Sequence, residues 1–174
     1  VSDYGKGVIT PAVLEALREA RGDAGTGVIV DPKRRNYAHY RGITLATPNA
    51  HEAAEASGVD LDGPASLRKA GLRLIERWRA EAILITRGER GMSLVRPTGP
   101  VENFPTTSRQ VFDVTGAGDT VVATCALALA AGARLEDAAR LANHAAGIVV
   151  GKLGTATASP RELIAGLGSR GGSS

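Results

Sequence analysis

The segment Asp113-Val114-Thr115-Gly116-Ala117-Gly118-Asp119 holds the residue types best suited to chemistry. Gly116 and Gly118 lack Cβ atoms, so the backbone there can turn sharply and admit a ligand closely. Thr120-Val121-Val122-Ala123 and their successors read as the start of a helix. The unpaired N–H groups of residues 116–119, backed by the helix dipole, would form an anion site. Asp119 would sit at the same helix start, where a carboxylate can accept a proton from an attacking hydroxyl. Donors for a moving phosphoryl group and a base for its acceptor would come from one turn of chain, the combination that phosphoryl transfer needs. The plain alternative is a capped turn with Asp119 as a structural cap. A Walker A loop is excluded, because no Gly-Lys-Ser/Thr follows.

Two further strings add to this. In Asn49-Ala50-His51-Glu52 the first and last residues lie three apart, on one helical face. An N-cap asparagine with a first-turn glutamate would look the same. Thr86-Arg87-Gly88-Glu89-Arg90-Gly91 is a strand-end turn with two glycines, which an ordinary turn also explains. Cys125, behind the Gly-rich loop, reads as a small core residue rather than a nucleophile.

The elements that must position these residues are legible from periodicity. Val1-Ser2-Asp3 reads as a strand end. Thr10-Pro11 opens a helix with an apolar stripe of Val13, Leu14 and Leu17, and Gly22 is its natural stop. Strands are expected over Gly27–Asp31, Ile43–Ala46 and Ala82–Thr86, and a strand pair over Met92–Val95 and Val101–Phe104. Helices are expected near Asn49–Ser57, over Pro64–Trp78, from the 113–119 loop to about Ala131, and over Leu135–Val150. Ser159-Pro160-Arg161-Glu162 is a capping box that opens a last short helix. Apolar strands alternating with amphipathic helices predict a parallel α/β sheet with helices on both faces. In such sheets ligands bind beyond the carboxyl ends of the strands, where Asp3, Asp31, Asn49, Glu52 and the 86–91 loop all fall.

Composition narrows the classes. The 174 residues suit one domain or a large part of one. Aromatic residues are only 3%, too few for the stacking platforms of a single-stranded nucleic-acid binder. The net charge of +3 favours anionic ligands such as nucleotides and sugar phosphates. The arginines are scattered, and the only tight basic cluster is Lys33-Arg34-Arg35, which reads as a solvated loop rather than a nucleic-acid patch. One cysteine permits no intrachain disulfide, which fits a reducing cytoplasm. No apolar run reaches the roughly 20 residues of a membrane span, and no signal peptide is visible.

Asp113–Asp119 with Thr120–Thr124 resembles the C-terminal signature of the PfkB/ribokinase carbohydrate-kinase family, and Thr-x-Gly-x-x-Gly and Asn-x-x-Glu match its other motifs. The resemblance implies a ribokinase-like three-layer α/β/α fold with a mostly parallel sheet, of which this chain is the C-terminal part. It implies Asp119 as catalytic base and Gly116, Ala117 and Gly118 as anion hole. It places Asn49, Ala50, His51, Glu52, Thr86, Gly88, Gly91 and Asn143 at ATP, with the His51 side chain a bystander. Glu52 would hold Mg²⁺ through water, since Mg²⁺ keeps much of its hydration. A K⁺ site in some relatives would here involve Asp113, Thr115, Gly154 and Ser159.

The strings Ser2–Gly7, Val30–Lys33 and Val150–Thr157 are similar to the heptose-7-phosphate kinase branch of that family. The branch phosphorylates the C1 hydroxyl of D-glycero-D-manno-heptose 7-phosphate on the way to ADP-heptose, a lipopolysaccharide core precursor. It occurs alone or fused to a nucleotidyltransferase half. Other sugar or nucleoside kinases of the family are the alternative. A non-catalytic nucleotide-binding domain is the alternative of another class, against which the presence of Asp119 speaks. Asp3 and Lys6 are candidate substrate-side residues, and Lys6 and Lys33 could offer charge to phosphate. The expected organisation is a kinase part over residues 1–167 and a Gly/Ser-rich tail or linker over 168–174. Family members carry lid strands and most sugar contacts in an N-terminal half absent here. The isolated chain is therefore expected to be weakly active or inactive, and an opened sheet edge to favour dimers.

Overall fold

The computed structural model describes residues 1–21, 27–108 and 112–168. Its centre is a five-stranded mixed sheet in the order β1-β2-β3-β4-β5. β1 (Ile29–Val30), β2 (Leu45–Ala46) and β3 (Ala82–Thr86) are parallel neighbours. β4 (Met92–Val95) runs antiparallel to β3, and β5 (Glu102–Phe104) antiparallel to β4. Ser2 pairs with Asp31 as a parallel bridge, so residues 1–3 extend the sheet beyond β1. Six helices complete the described residues: α1 (Pro11–Arg21), α2 (Ala50–Ser57), α3 (Pro64–Trp78), α4 (Ala117–Ala130), α5 (Leu135–Val150) and α6 (Pro160–Gly168).

The sheet separates two cores. Along β3 the side chains alternate: Ile83 and Ile85 join Leu67, Leu74 and Trp78, whereas Ala82 and Leu84 join Val121, Val122, Cys125 and Ala142. A strand buried on both faces reads as an unbroken apolar run, which is the composition of Ala82–Ile85. One helical layer is α2 and α3, the other α4 and α5, giving the three-layer arrangement. Trp78 is completely buried; its Nε1 donates to the Tyr37 carbonyl at 2.9 Å, and Tyr40 meets it edge-on at 5.7 Å. The second core uses small residues instead. Cys125, Ala138, Ala139 and Ala142 are all buried, which lets α4 and α5 approach closely.

Several sequence expectations need correction. The β1 and β2 ladders are only two residues long, shorter than Gly27–Asp31 and Ile43–Ala46 suggested. The helix expected after Thr10-Pro11 is present as α1, with none of its residues buried and Leu14 resting on the Trp78 core. α4 begins inside the Gly-rich segment, at Ala117. Gly168 belongs to α6 rather than to a tail. The expected stop at Gly22 and the segment 169–174 lie outside the described residues.

Candidate active site

The carboxyl ends of the parallel strands and the start of α4 meet at one edge of the sheet. Gly116 caps α4 with a φ of +80°, a left-handed conformation that glycine adopts without steric cost. Its carbonyl accepts from the Thr120 amide at 2.9 Å, so the helix is engaged from its first turn. The first-turn amides of a helix have no intrahelical acceptors. The Ala117 amide already donates to the Val114 carbonyl at 3.2 Å, whereas the space where a Cβ of Gly118 would stand is open to 4 Å.

Asp119 lies in the same turn. Its Oδ1 accepts from Ser2 Oγ at 2.7 Å and its Oδ2 from the Tyr4 hydroxyl at 2.5 Å. These two bonds, helped by the charge of Lys33, hold its carboxyl below the ordinary carboxylate range against the opposing effect of burial. At neutral pH the group is therefore ionised. The sequence pointed to residues 2–7 but not to Ser2 and Tyr4 as partners of the aspartate, because they are separated from it by more than 110 residues.

The second charged cluster is built around Lys33. Its ammonium is paired with Glu52 Oε1 and lies 3.6 Å from Asp31 Oδ2. Glu52 is also the N3 partner in the capping box of α2: its Oε2 accepts from the Asn49 amide, and Asn49 Oδ1 accepts from the Glu52 amide, both at 2.9 Å. The cap and the charged cluster share Glu52, so the plain reading of Asn49 and Glu52 as a helix cap holds. Burial, opposed by Lys33 and reinforced by the charges of Glu52 and Asp119, pushes the Asp31 carboxyl up to about 6. Lys33 read as a solvated loop lysine; the structure makes it the ammonium shared by two acids.

Between β3, α4 and α5 lies a cleft of about 250 Å³. Thr86, Gly88 and Gly91 border it from the strand-end turn, Ala117 and Gly118 from the start of α4, and Asn143 from α5. Asn49 is not in this lining but is adjacent to it, through its parallel bridge to Thr86. Of the residues expected at a nucleotide, Thr86, Gly88, Gly91 and Asn143 line this cleft and Asn49 adjoins it; Ala50 and Glu52 do not line it, and His51 is exposed. Two of them have structural duties. Asn143 Nδ2 donates to the Pro105 carbonyl at 2.8 Å. A Cβ on Gly91, whose φ is +76°, would lie 2.0 Å from the Phe104 carbonyl oxygen, so this glycine is required by β5.

Other expectations fare differently. Asp3 is not a substrate-facing acid. It is 1% exposed and accepts from Asn36 Nδ2 at 2.7 Å, Tyr40 OH at 2.6 Å and the Gly5 amide at 2.7 Å. A carboxylate that far from solvent needs such partners, and it fixes the 1–5 segment that carries Ser2 and Tyr4. Lys6 is exposed and has no ion pair within the described residues. Of the four residues suggested for K⁺, Asp113, Thr115 and Gly154 converge, since the Asp113 carboxylate accepts from the Thr115 amide at 2.8 Å and is lowered further by the Gly154 backbone. Ser159 does not join them: its amide and hydroxyl both donate to Glu162 at 2.8 Å as the cap of α6. Among the described residues no three His, Cys, Asp or Glu side chains could hold a metal together.

A left-handed glycine cap, an ionised aspartate one turn into the helix and a cleft beside them define a phosphotransferase-type site on a ribokinase-like fold. The pfkB family carbohydrate kinase profile matches residues 4–162, and the chain belongs to that family. The bifunctional protein HldE of Citrifermentans bemidjiense is 51% identical over 97% of the chain, and that of Geobacter metallireducens 52% over 97%. The chain spans about a third of the length of these curated relatives, 34% in each. Among solved structures, Arabidopsis thaliana ribokinase complexed with ribose and ATP superposes with a TM-score of 0.79 at 22% identity, covering 91% of this chain and 53% of that one. Escherichia coli phosphofructokinase-2 in complex with potassium gives 0.79 at 23%, covering 92% and 53%. No helix among the described residues is long and apolar enough to cross a membrane.

Proposed function

We propose that this chain supplies the nucleotide side and the catalytic base of a kinase that uses ATP to phosphorylate the C1 hydroxyl of D-glycero-D-manno-heptose 7-phosphate. The observation that carries the reading is Asp119: an ionised carboxylate held by Ser2 and Tyr4 in the first turn of a helix, next to Gly118, where the missing side chain leaves open space. The half-identity to HldE proteins supports the heptose branch over other sugars. Their description as bifunctional supports fusion to a nucleotidyltransferase unit. The reading puts the protein in the cytoplasm, where ATP is supplied.

In this mechanism the acceptor hydroxyl takes the place of the Ser2 or Tyr4 hydroxyl at Asp119 and passes its proton to the carboxylate. A carboxylate below its ordinary range is a weak base. That is sufficient, because a loose phosphoryl transition state needs the proton removed late. In the anion hole of Gly116, Ala117 and Gly118, the amides of the two glycines stabilise the charge of the moving group, that of Ala117 being held by the Val114 carbonyl. The cleft holds the nucleotide, with Thr86, Gly88 and Asn143 at its walls. Glu52, through water, would hold the Mg²⁺ that neutralises the phosphate tail, and Lys33 adds a positive charge beside it. Asp113, Thr115 and Gly154 would face K⁺.

The test is Asp119→Asn in the purified full-length kinase that contains this chain. Heptose-dependent ADP formation is expected to fall by about three orders of magnitude or more, with the affinity for a non-hydrolysable ATP analogue within a few-fold. Turnover within a few-fold of wild type would sink the assignment. A panel of heptose 7-phosphate, ribose and fructose 6-phosphate separates the heptose branch from its relatives. Replacing K⁺ by tetramethylammonium is expected to lower turnover; no change removes the cation site.

A further inference from the structure

The turn between β3 and β4 faces two clefts. Gly88 and Glu89 border the cleft described above, whereas Arg87 and Arg90 border a second cavity of about 230 Å³ on the Trp78 side of the sheet. The side-chain alternation of β3 explains the division, since Thr86 points with Leu84 and the next residue points the other way. The second cavity is lined by two guanidinium groups and no acidic residue.

Neither guanidinium is neutralised by the protein. Among the described residues no carboxylate lies within 4.0 Å of Arg87 or Arg90. Arg87 Nη2 reaches only the Arg90 carbonyl and Asn103 Oδ1, both at 3.3 Å, and its Nε finds no acceptor. Burial and the like charge of Arg90 both weaken the hold of Arg87 on its proton, and no acid offsets them. The start of α3, capped by Gly63 without a side chain, adds to the positive potential, whereas that of α2 at Ala50 is offset by the Glu52 carboxylate in its first turn. Leu61, Leu67 and Val101 supply an apolar wall, with Asn103 the other polar side chain of the lining.

We propose that this cavity is a second anion site, taking a phosphate group carried on a small organic body, with Arg87 and Arg90 as its counter-charges. The planar guanidinium fork matches phosphate oxygens in pairs, and two such forks with the start of α3 suit a dianion better than a monocarboxylate. The apolar wall accommodates the body that carries the phosphate. Because one turn lines both clefts, occupancy of this site alters nucleotide affinity, and by linkage the nucleotide alters the affinity of the second ligand equally. The site is independent of the roles assigned to Asp119 and of the sugar.

The experiment is calorimetric titration of the protein saturated with a non-hydrolysable ATP analogue, so that the first cleft and the start of α4 are filled. The probes are inorganic pyrophosphate and glucose 6-phosphate. One equivalent of at least one probe is expected to bind, with affinity falling steeply with salt. Tighter binding of pyrophosphate identifies a diphosphate ligand; tighter binding of glucose 6-phosphate identifies a phosphorylated metabolite. Arg90→Gln and Arg87→Gln are each expected to weaken binding at least tenfold while keeping analogue affinity within a few-fold. Arg90 is exposed, so its variant decides the matter if Arg87→Gln folds poorly. The proposal is overturned if neither probe binds the saturated protein, or if Arg90→Gln binds as wild type does.

Discussion

Tyr4 gives the base its environment. Removing its hydroxyl in Tyr4→Phe leaves Asp119 with Ser2 and raises the carboxyl towards its ordinary range. A stronger base that ionises later should move the acid limb of the kcat/KM profile to higher pH, with activity at neutral pH changed by only about three-fold. An unmoved limb would mean that another group sets it. The two buried acids nearby have opposite effects on stability. Burial alone would raise Asp3, but the bonds from Asn36, Tyr40 and Gly5 and the charge of Lys33 outweigh it and lower the carboxyl. Its contribution is therefore present above the ordinary range and lost as pH falls through the folded value. Asp31 is raised to about 6, so the folded state binds more protons than the unfolded one and stability falls as pH rises from about 4 to 6. In Asp31→Asn that downward slope should vanish from denaturant midpoints measured across the interval. Asp3→Ala should cost about 3 kcal/mol, because it strands Asn36 and Tyr40 without their acceptor.

The elements differ in how firmly they are held. α3 buries Leu67, Ala70, Leu74 and Trp78 along one face, whereas α1 buries nothing. Amide exchange in α1 should be faster than in α3 by several orders of magnitude at neutral pH, since α1 can open without disturbing either core. The turn at residues 87–91 is fixed by its last glycine. Gly91→Ala should cost about 3 kcal/mol, because a left-handed alanine would drive into the Phe104 carbonyl, and the loss should appear in thermal unfolding without any nucleotide. The ends of α3, α5 and β3 were legible in the sequence because each carries a long, regular apolar pattern. β1 and β2 were overestimated because an apolar run does not disclose how many of its residues find a ladder partner. The helix α1 was legible from Thr10-Pro11, but a stripe such as Val13, Leu14 and Leu17 shows that a face is apolar, not that another element covers it.

For the whole molecule, the sheet is the partition. Leu74 lies in one core and Val122 in the other, with the strands between them. Leu74→Ala should destabilise by about 3 kcal/mol and Val122→Ala by about 2 kcal/mol. The double variant should equal the sum within about 0.5 kcal/mol in urea titrations, and a larger interaction energy would mean that the layers relax together. The candidate site was legible only in its local parts. The loop 113–119, the Asn49–Glu52 pair and the 86–91 turn could be read because each fits within a few residues of chain. The bonds from Ser2 and Tyr4 to Asp119, the pairing of Lys33 with Glu52 and the burial of Asp3 against Asn36 and Tyr40 depend on crossover connections that no local pattern encodes.

Trp78 has a further use. It is the only tryptophan in the chain, sealed from water and flanked by Tyr37 and Tyr40 at 5.8 and 5.7 Å. Its emission should be blue-shifted in the native protein, with strong energy transfer from the two tyrosines. Loss of the Trp78 core would shift the emission to the red and uncouple the rings. The cleft bordered by α4 and α5 lies across the sheet, so nucleotide binding should leave this spectrum nearly unchanged. The molecule thus contains an intrinsic optical probe that reports on one layer and is silent to the other.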